Sequence, residues 1–152
     1  MYMKKLFLAL FLLLAFNACA QDNFSLTDTA GKQHHLNDYK GKWLVVNYWA
    51  TWCPPCLEEI PDLVHLYDDH KDKDVMILGV AMEYQQAKEV IDFANDMLIS
   101  YPIVLGNMPQ NIKVGKVNAL PTTFIFNPQG ELVKTKRGLI TRIQIEALMK
   151  DK

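Results

Sequence analysis

Cys53-Pro54-Pro55-Cys56 constrains this chain more than any other segment. It follows Trp43–Trp49 (WLVVNYW), a run of apolar, β-branched and aromatic residues that reads as a buried central strand. After it, Cys56, Leu57, Ile60, Leu63, Val64 and Tyr67 recur at helical spacing from Pro54 to about His70. Two cysteines two residues apart at a strand-to-helix junction form a reversible dithiol–disulfide couple. The start of a helix favours negative charge, because its first backbone N–H groups lack partners and its dipole is positive there. Cys53 is expected at that end, with its pKa below the roughly 8.5 of a free cysteine. The thiolate is the attacking species in disulfide exchange. Cys53 is therefore the expected nucleophile. Cys56, one turn inside and more buried, resolves the mixed disulfide. The Pro-Pro spacer stiffens the loop and withholds N–H donors from the thiolate.

Other uses of a cysteine pair fit less well. A structural zinc site needs about four ligands. Here there is one pair, His34 and His35 are adjacent, and His65 and His70 share the helix of the pair. No metal is expected, and no cofactor beyond the redox-active Cys53–Cys56 couple itself. A purely structural disulfide across two intervening residues would restrict the unfolded chain little. A peroxidase would need one cysteine in a different Pro- and Thr-bearing loop. The histidines show no partner pattern and are assigned no role.

The chain has 152 residues, half of them apolar, which supports one domain with a real core. A formal net charge of −1 implies no general attraction to nucleic acid or anionic lipid. The N-terminus is a separate object. Lys4-Lys5 precede the apolar run Leu6–Phe16, which is too short for a spanning helix of roughly 20 residues. With Asn17-Ala18-Cys19-Ala20 it reads as a signal segment over residues 1–20. Cleavage after Ala20 and lipidation of Cys19 both fit. Either removes Cys19 from redox chemistry, which accounts for an odd cysteine count of 3. Residues 21–152 then form the domain, placed in the periplasm or on the outer side of a bacterial membrane.

Phe24–Leu36 carries a turn at Asp28–Lys32 and suggests a small hairpin. Val75–Met82 reads as a second buried strand, Gln85–Met97 as a helix, Tyr101–Leu105 as a short strand and Asn111–Val117 as a brief helix or turn. Thr122–Phe126 and Glu131–Lys136 flank Asn127-Pro128-Gln129-Gly130, a hairpin signal. Ile140–Lys150 is a closing amphipathic helix. Pro61, inside the first helix, is expected to kink it. The alternation of strands and helices argues for an α/β domain with a central mixed sheet flanked by helices.

Trp49-Ala-Thr-Trp-Cys-Pro-Pro-Cys56, followed about 65 residues later by Leu120-Pro121-Thr122-Thr-Phe124, resembles the thioredoxin superfamily. The closer resemblance, from Phe24 to Met149, is to the TlpA/ResA-like branch of exported thiol–disulfide oxidoreductases. It implies the thioredoxin fold with an N-terminal β-hairpin and a helical insertion near Glu83–Ser100. It implies a cis Leu120–Pro121 bond facing the dithiol, in a loop that offers backbone groups to an extended substrate. Trp52, Pro54, Leu120, Pro121 and Thr122 are thus expected to meet the substrate. Trp49 would pack in the core, Trp52 would partly cover the dithiol, and Met82-Glu83-Tyr84 would stand at the rim. Thioredoxin has a buried Asp where this chain has Asn47, which cannot act as a proton acceptor. The resemblance points instead to Glu59 beside the active site. A carboxylate there would accept the Cys56 proton if its pKa were raised. The plainer reading is a solvated residue favoured by the helix dipole.

The activity implied is reduction of disulfides in exported proteins, such as apocytochrome c or a copper-site protein. A membrane thiol carrier would donate the electrons, and a lipid anchor would hold the domain. A disulfide-forming oxidant and a non-catalytic binding domain are the rival readings. A reduction potential near −270 mV marks a reductant and one near −120 mV an oxidant. The oligomeric state is not legible.

Overall fold

The computed structural model describes residues 24–106 and 114–150. The signal segment 1–20, Cys19 and the first part of Asn111–Val117 lie outside the described residues. The chain opens with β1 (Ser25–Thr27) and β2 (Gln33–His35), a 3-10 turn at Leu36–Tyr39, and β3 (Trp43–Trp49). Helix α1 (Pro54–His70), β4 (Val75–Ala81), α2 (Ala87–Asp96) and β5 (Ile103–Leu105) follow. β6 (Thr122–Phe126), β7 (Leu132–Arg137) and α3 (Arg142–Lys150) complete it.

Five strands form one sheet in the order β5-β4-β3-β6-β7. β3 pairs parallel with β4, and β4 with β5, while β6 runs antiparallel to both β3 and β7. The mixed sheet flanked by helices is the expected one. All seven residues of β3 and of β4 are buried, as central strands covered on both faces require. β7 is an edge strand and reads LVKTKR, largely exposed. Asn127 Oδ1 accepts hydrogen bonds from the N–H groups of Gln129 and Glu131, and Gly130, at φ 83°, completes the β6–β7 turn.

The period-2 alternation of the strands separates two cores. Val45, Trp49, Ile77, Ala81 and Ile125 face Cys56, Ile60, Leu63 and Leu66 of α1, Val90 and Ala94 of α2, and Ile145 of α3. Leu44, Val46, Tyr48, Leu78, Val80, Phe124 and Phe126 face Phe24, Leu26, Leu36 and Val114. The N-terminal hairpin thus helps cover the second face. It is tied to β5 by an Asp28–Val104 bridge and by the Thr29 N–H, which donates to the Ile103 carbonyl at 2.8 Å. Pro61 lies inside α1, and the helix continues beyond it to His70. The missing N–H costs one internal bond, while packing of Ile60, Leu63 and Leu66 holds both sides against the sheet.

Candidate active site

β3 ends at Trp49 and delivers the chain to Cys53, which caps α1 in an extended conformation. Pro54 and Pro55 occupy the first two helical positions, where a proline's fixed φ is already helical and its N–H is not needed. The Cys53 N–H donates to the Ala50 carbonyl at 3.2 Å, and the Cys53 carbonyl accepts from the Leu57 N–H at 3.1 Å. Of the backbone groups that ordinarily crowd a helix start, two do not exist and Leu57 is engaged. Cys56 is the first helical residue that still has an N–H.

Cys53 and Cys56 are joined as a disulfide, with their Cα atoms 5.3 Å apart. Both are buried, Cys53 at 3% exposure and Cys56 at 0%, so the expected order of burial holds by a small margin. Trp49 is wholly buried and stacks obliquely on Phe93 of α2, whereas Trp52 is 58% exposed. Pro54 is exposed at the head of the helix.

The Leu120–Pro121 peptide bond is cis. Thr122 pairs with Tyr48, so Pro121 lies one step past the last β3–β6 pair, at the end of β3 that leads to the cysteines. The Pro121 carbonyl accepts from Gly138 N–H at 2.8 Å. Thr122 braces the loop from behind: its side chain is buried, and its hydroxyl donates to the Ala119 carbonyl at 2.7 Å. Leu120 is partly exposed and Pro121 is buried. At the rim, the Met82 N–H donates to the Trp49 carbonyl at 2.8 Å, and Glu83 adopts φ 54° immediately after it.

Glu59 is not a solvated helix residue. It lies three residues after Cys56 on the same helical face and is 1% exposed. Its Oε1 accepts from Asn47 Nδ2 at 2.6 Å and its Oε2 from the Ile140 N–H at 2.9 Å. Burial pushes its pKa from 4.5 up to about 7, although the Ile140 and Asn47 bonds pull the other way. Asn47 Nδ2 also donates to Thr123 Oγ1 at 3.0 Å. Asn47, at the place where thioredoxin has a buried Asp, is thus a residue that holds the Glu59 carboxyl in place. A carboxyl that is half-ionised near neutrality, next in the helix to a buried sulfur, is suited to exchanging a proton with it.

The sequence reading missed two arrangements. His34 is wholly buried; its Nδ1 meets the Tyr39 hydroxyl and its Nε2 meets Asp28 Oδ2 at 2.9 Å. Asp28 Oδ1 also accepts from the N–H groups of Ala30 and Lys32 at 2.9 Å. Desolvation raises the Asp28 pKa, but these bonds outweigh it and hold the carboxyl below its ordinary value. The trio locks the hairpin turn to the 3-10 turn, far in sequence from the cysteines. The second is Tyr101, buried beside Gly79 under α1. Sequence spacing carried no signal for either. Among the described residues no cluster of three or more His, Cys, Asp or Glu is placed to hold a metal.

The AhpC/TSA family model matches residues 18–135. The thiol-disulfide oxidoreductase ResA of Bacillus subtilis is 38% identical over 128 residues, covering 84% of this chain and 70% of that protein. The crystal structure of StoA from Bacillus subtilis aligns with a TM-score of 0.73 at 29% identity, covering 84% of this chain and 96% of that one. The exposed lipoprotein thioredoxin Etrx1 of Streptococcus pneumoniae aligns with a TM-score of 0.73 at 26% identity, covering 86% and 99%.

Proposed function

The chain belongs to the AhpC/TSA family and is a ResA-like thiol-disulfide oxidoreductase of thioredoxin fold, and from that premise we propose that it reduces disulfides of exported proteins through Cys53 and Cys56. The observation that carries this reading is the buried Cys53–Cys56 pair at the N-terminus of α1, with Glu59 fixed one turn on by Asn47 and the Ile140 N–H. A dithiol donor first delivers two electrons and two protons, opening the disulfide. The Cys53 thiolate then attacks one sulfur of a substrate disulfide and expels the other as a thiolate. Cys56 gives its proton to the Glu59 carboxylate and attacks the Cys53 sulfur. The reduced substrate leaves as a thiolate, and the Cys53–Cys56 bond re-forms. Trp52 and Pro54 border the approach to Cys53, and the Leu120-Pro121 backbone receives the substrate chain.

The work is done outside the cytosol, in the periplasm or on the outer membrane face, with a membrane thiol carrier as donor and with Cys19 as a lipid attachment point. The relatives named thiol-disulfide oxidoreductase and exposed lipoprotein thioredoxin support that placement. Clients of the apocytochrome c type, presenting paired cysteines in an extended segment, suit a docking loop of this kind. Two measurements test the reading. Glu59→Gln shifts or flattens the pH profile of disulfide exchange between about pH 6 and 8; an unchanged profile removes Glu59 from the mechanism. Cys56→Ser traps mixed disulfides with exported proteins; no trapped species would return the chain to a binding role.

A further inference from the structure

β7 and α3 leave a recess between them, on the side of the sheet that carries α1. Lys134 pairs with Ile125, and Lys136 with Thr123. Partners across a ladder share a face, and Ile125 belongs to the core under α1. Both lysines therefore stand on that face, about 6.6 Å apart along the strand. Lys134 is exposed and Lys136 half-buried. With Ile140, Gln144, Ala147 and Leu148 they line a cavity of about 280 Å³. Gln144, Ala147 and Leu148 fall at i, i+3 and i+4, so they share one face of α3. One wall of the recess is thus basic. The other is mainly apolar, with the Gln144 amide as its polar group. In a chain of net charge −1, residues 131–150 carry five basic side chains against two acidic ones. The field of this flank therefore attracts an acidic partner.

The two lysines have no internal use for their charge. Among the described residues neither takes part in an ion pair. The two acids of that flank are engaged elsewhere, Glu131 with Asn127 and Glu146 with Arg142. Lysines that only discourage edge pairing need no apolar recess beside them. We propose that the recess docks an extended acidic segment of a partner protein, with carboxylates at alternate positions and apolar side chains between them. An extended chain sends successive side chains to opposite sides. Carboxylates two residues apart meet Lys134 and Lys136, and the side chain between them enters against Ala147 and Leu148. The Gln144 amide is placed to bond the segment's backbone. The segment lies on the face of β7, not along its hydrogen-bonding edge. A bilayer fits less well: a flat surface cannot enter a recess, and lipid-binding clusters carry roughly four to eight basic residues. A small molecule also fits less well, since its pockets hold roughly 300–1,000 Å³. The inference goes beyond the redox reading and does not depend on it.

The test uses a fluorescent, cysteine-free peptide of alternating glutamate and leucine, with its anisotropy read against the oxidised protein. The peptide is expected to bind, and to bind at least about fivefold more weakly at 0.5 M salt than at about 0.05 M. Lys134→Glu with Lys136→Glu should weaken it at least about tenfold. Ala147→Trp keeps every charge and fills the recess, and it should weaken binding as much. A peptide of alternating lysine and leucine should not bind. No binding by the acidic peptide overturns the proposal. So does a loss with the lysine variants that Ala147→Trp does not reproduce, which would mean diffuse charge attraction without a recess. Phosphatidylglycerol vesicles that capture the protein through these lysines, while the peptide neither binds nor competes, would assign the flank to a membrane and also overturn it. Should a variant not fold, the Ala147 and Leu148 methyl signals of the unaltered protein decide. Shifts on adding peptide support the site, and unmoved signals overturn it. Because the peptide has no sulfur, its failure leaves the disulfide chemistry of Cys53 and Cys56 untouched.

Discussion

Glu59→Gln makes a prediction about stability that needs no substrate. The Glu59 carboxyl binds its proton at about 7 in the folded protein, against an ordinary 4.5. The folded state therefore holds the proton more tightly than the unfolded chain. The associated stabilisation is fully present below about 4.5, declines as pH rises, and is gone above about 7. At 1.36 kcal/mol per unit the loss is about 3 kcal/mol. Glutamine abolishes that slope. It also turns an amide N–H towards the Ile140 N–H that now donates to Oε2, leaving a buried donor unsatisfied at a cost of roughly 1–3 kcal/mol. The Asn47 bond to Oε1 survives. At about pH 5 the variant should be the less stable protein by that 1–3 kcal/mol. At about pH 8, where the unaltered protein has lost its 3 kcal/mol, the two should meet or cross. Urea unfolding of both oxidised proteins at several pH values reads the difference directly. A difference that stays constant across the range would refute the reasoning and leave Glu59 an ordinary carboxyl.

Pro55→Ala restores an N–H at the second helical position, where a capping side chain finds its donor. Stabilising the Cys53 thiolate by about 1 kcal/mol should make the reduction potential less negative by about 20 mV, read by equilibration with glutathione; no change, or a more negative value, would show that the prolines do not act by withholding donors. His34→Ala strips Asp28 and Tyr39 of their buried partner and should cost roughly 2–4 kcal/mol in denaturant unfolding, more than Asp28→Asn does; equal or negligible losses would demote the trio. Gly79→Ala drives a methyl to 2.8 Å from the Tyr101 ring and should lower stability by about 1–3 kcal/mol, whereas a gain in melting temperature would mean the ring moves freely.

The cysteines and the central strand were legible because each is announced by neighbours in sequence. Cys53 and Cys56 sit in one turn, and Trp43–Trp49 is apolar throughout apart from Asn47. Glu59 was legible for a related reason: it follows Cys56 by one helical turn, and Asn47 vacates the position of the usual acid. What holds Glu59 was not legible. Its Ile140 partner is 81 residues away and belongs to the backbone of a loop, which carries no side-chain signal. Neither link of the His34 trio is longer than six positions, but the trio closes only when a hairpin and a 3-10 turn fold against each other. Adjacent polar residues at His34-His35 look like any exposed turn. The motif that contains Thr122 was legible, but the inward turn of its hydroxyl to Ala119 depends on how the cis-proline loop closes. Tyr101 looked like a strand aromatic; that it fills a gap left by Gly79 depends on a register set between two other strands.

The two margins of the sheet have different guardians. At β5 the backbone is already engaged by Asp28 and Thr29 of the hairpin turn. At β7, among the described residues, no further strand pairs with the outer edge, and Lys134, Lys136 and Arg137 populate the strand. A second molecule trying to extend the ladder would find one border occupied and the other electrically hostile to its own copy. If extended substrates dock at Leu120-Pro121 as proposed, that separation matters. Strand-like company would then be admitted beside the cysteines and discouraged along the open flank, so that the same appetite for backbone does not turn into self-assembly.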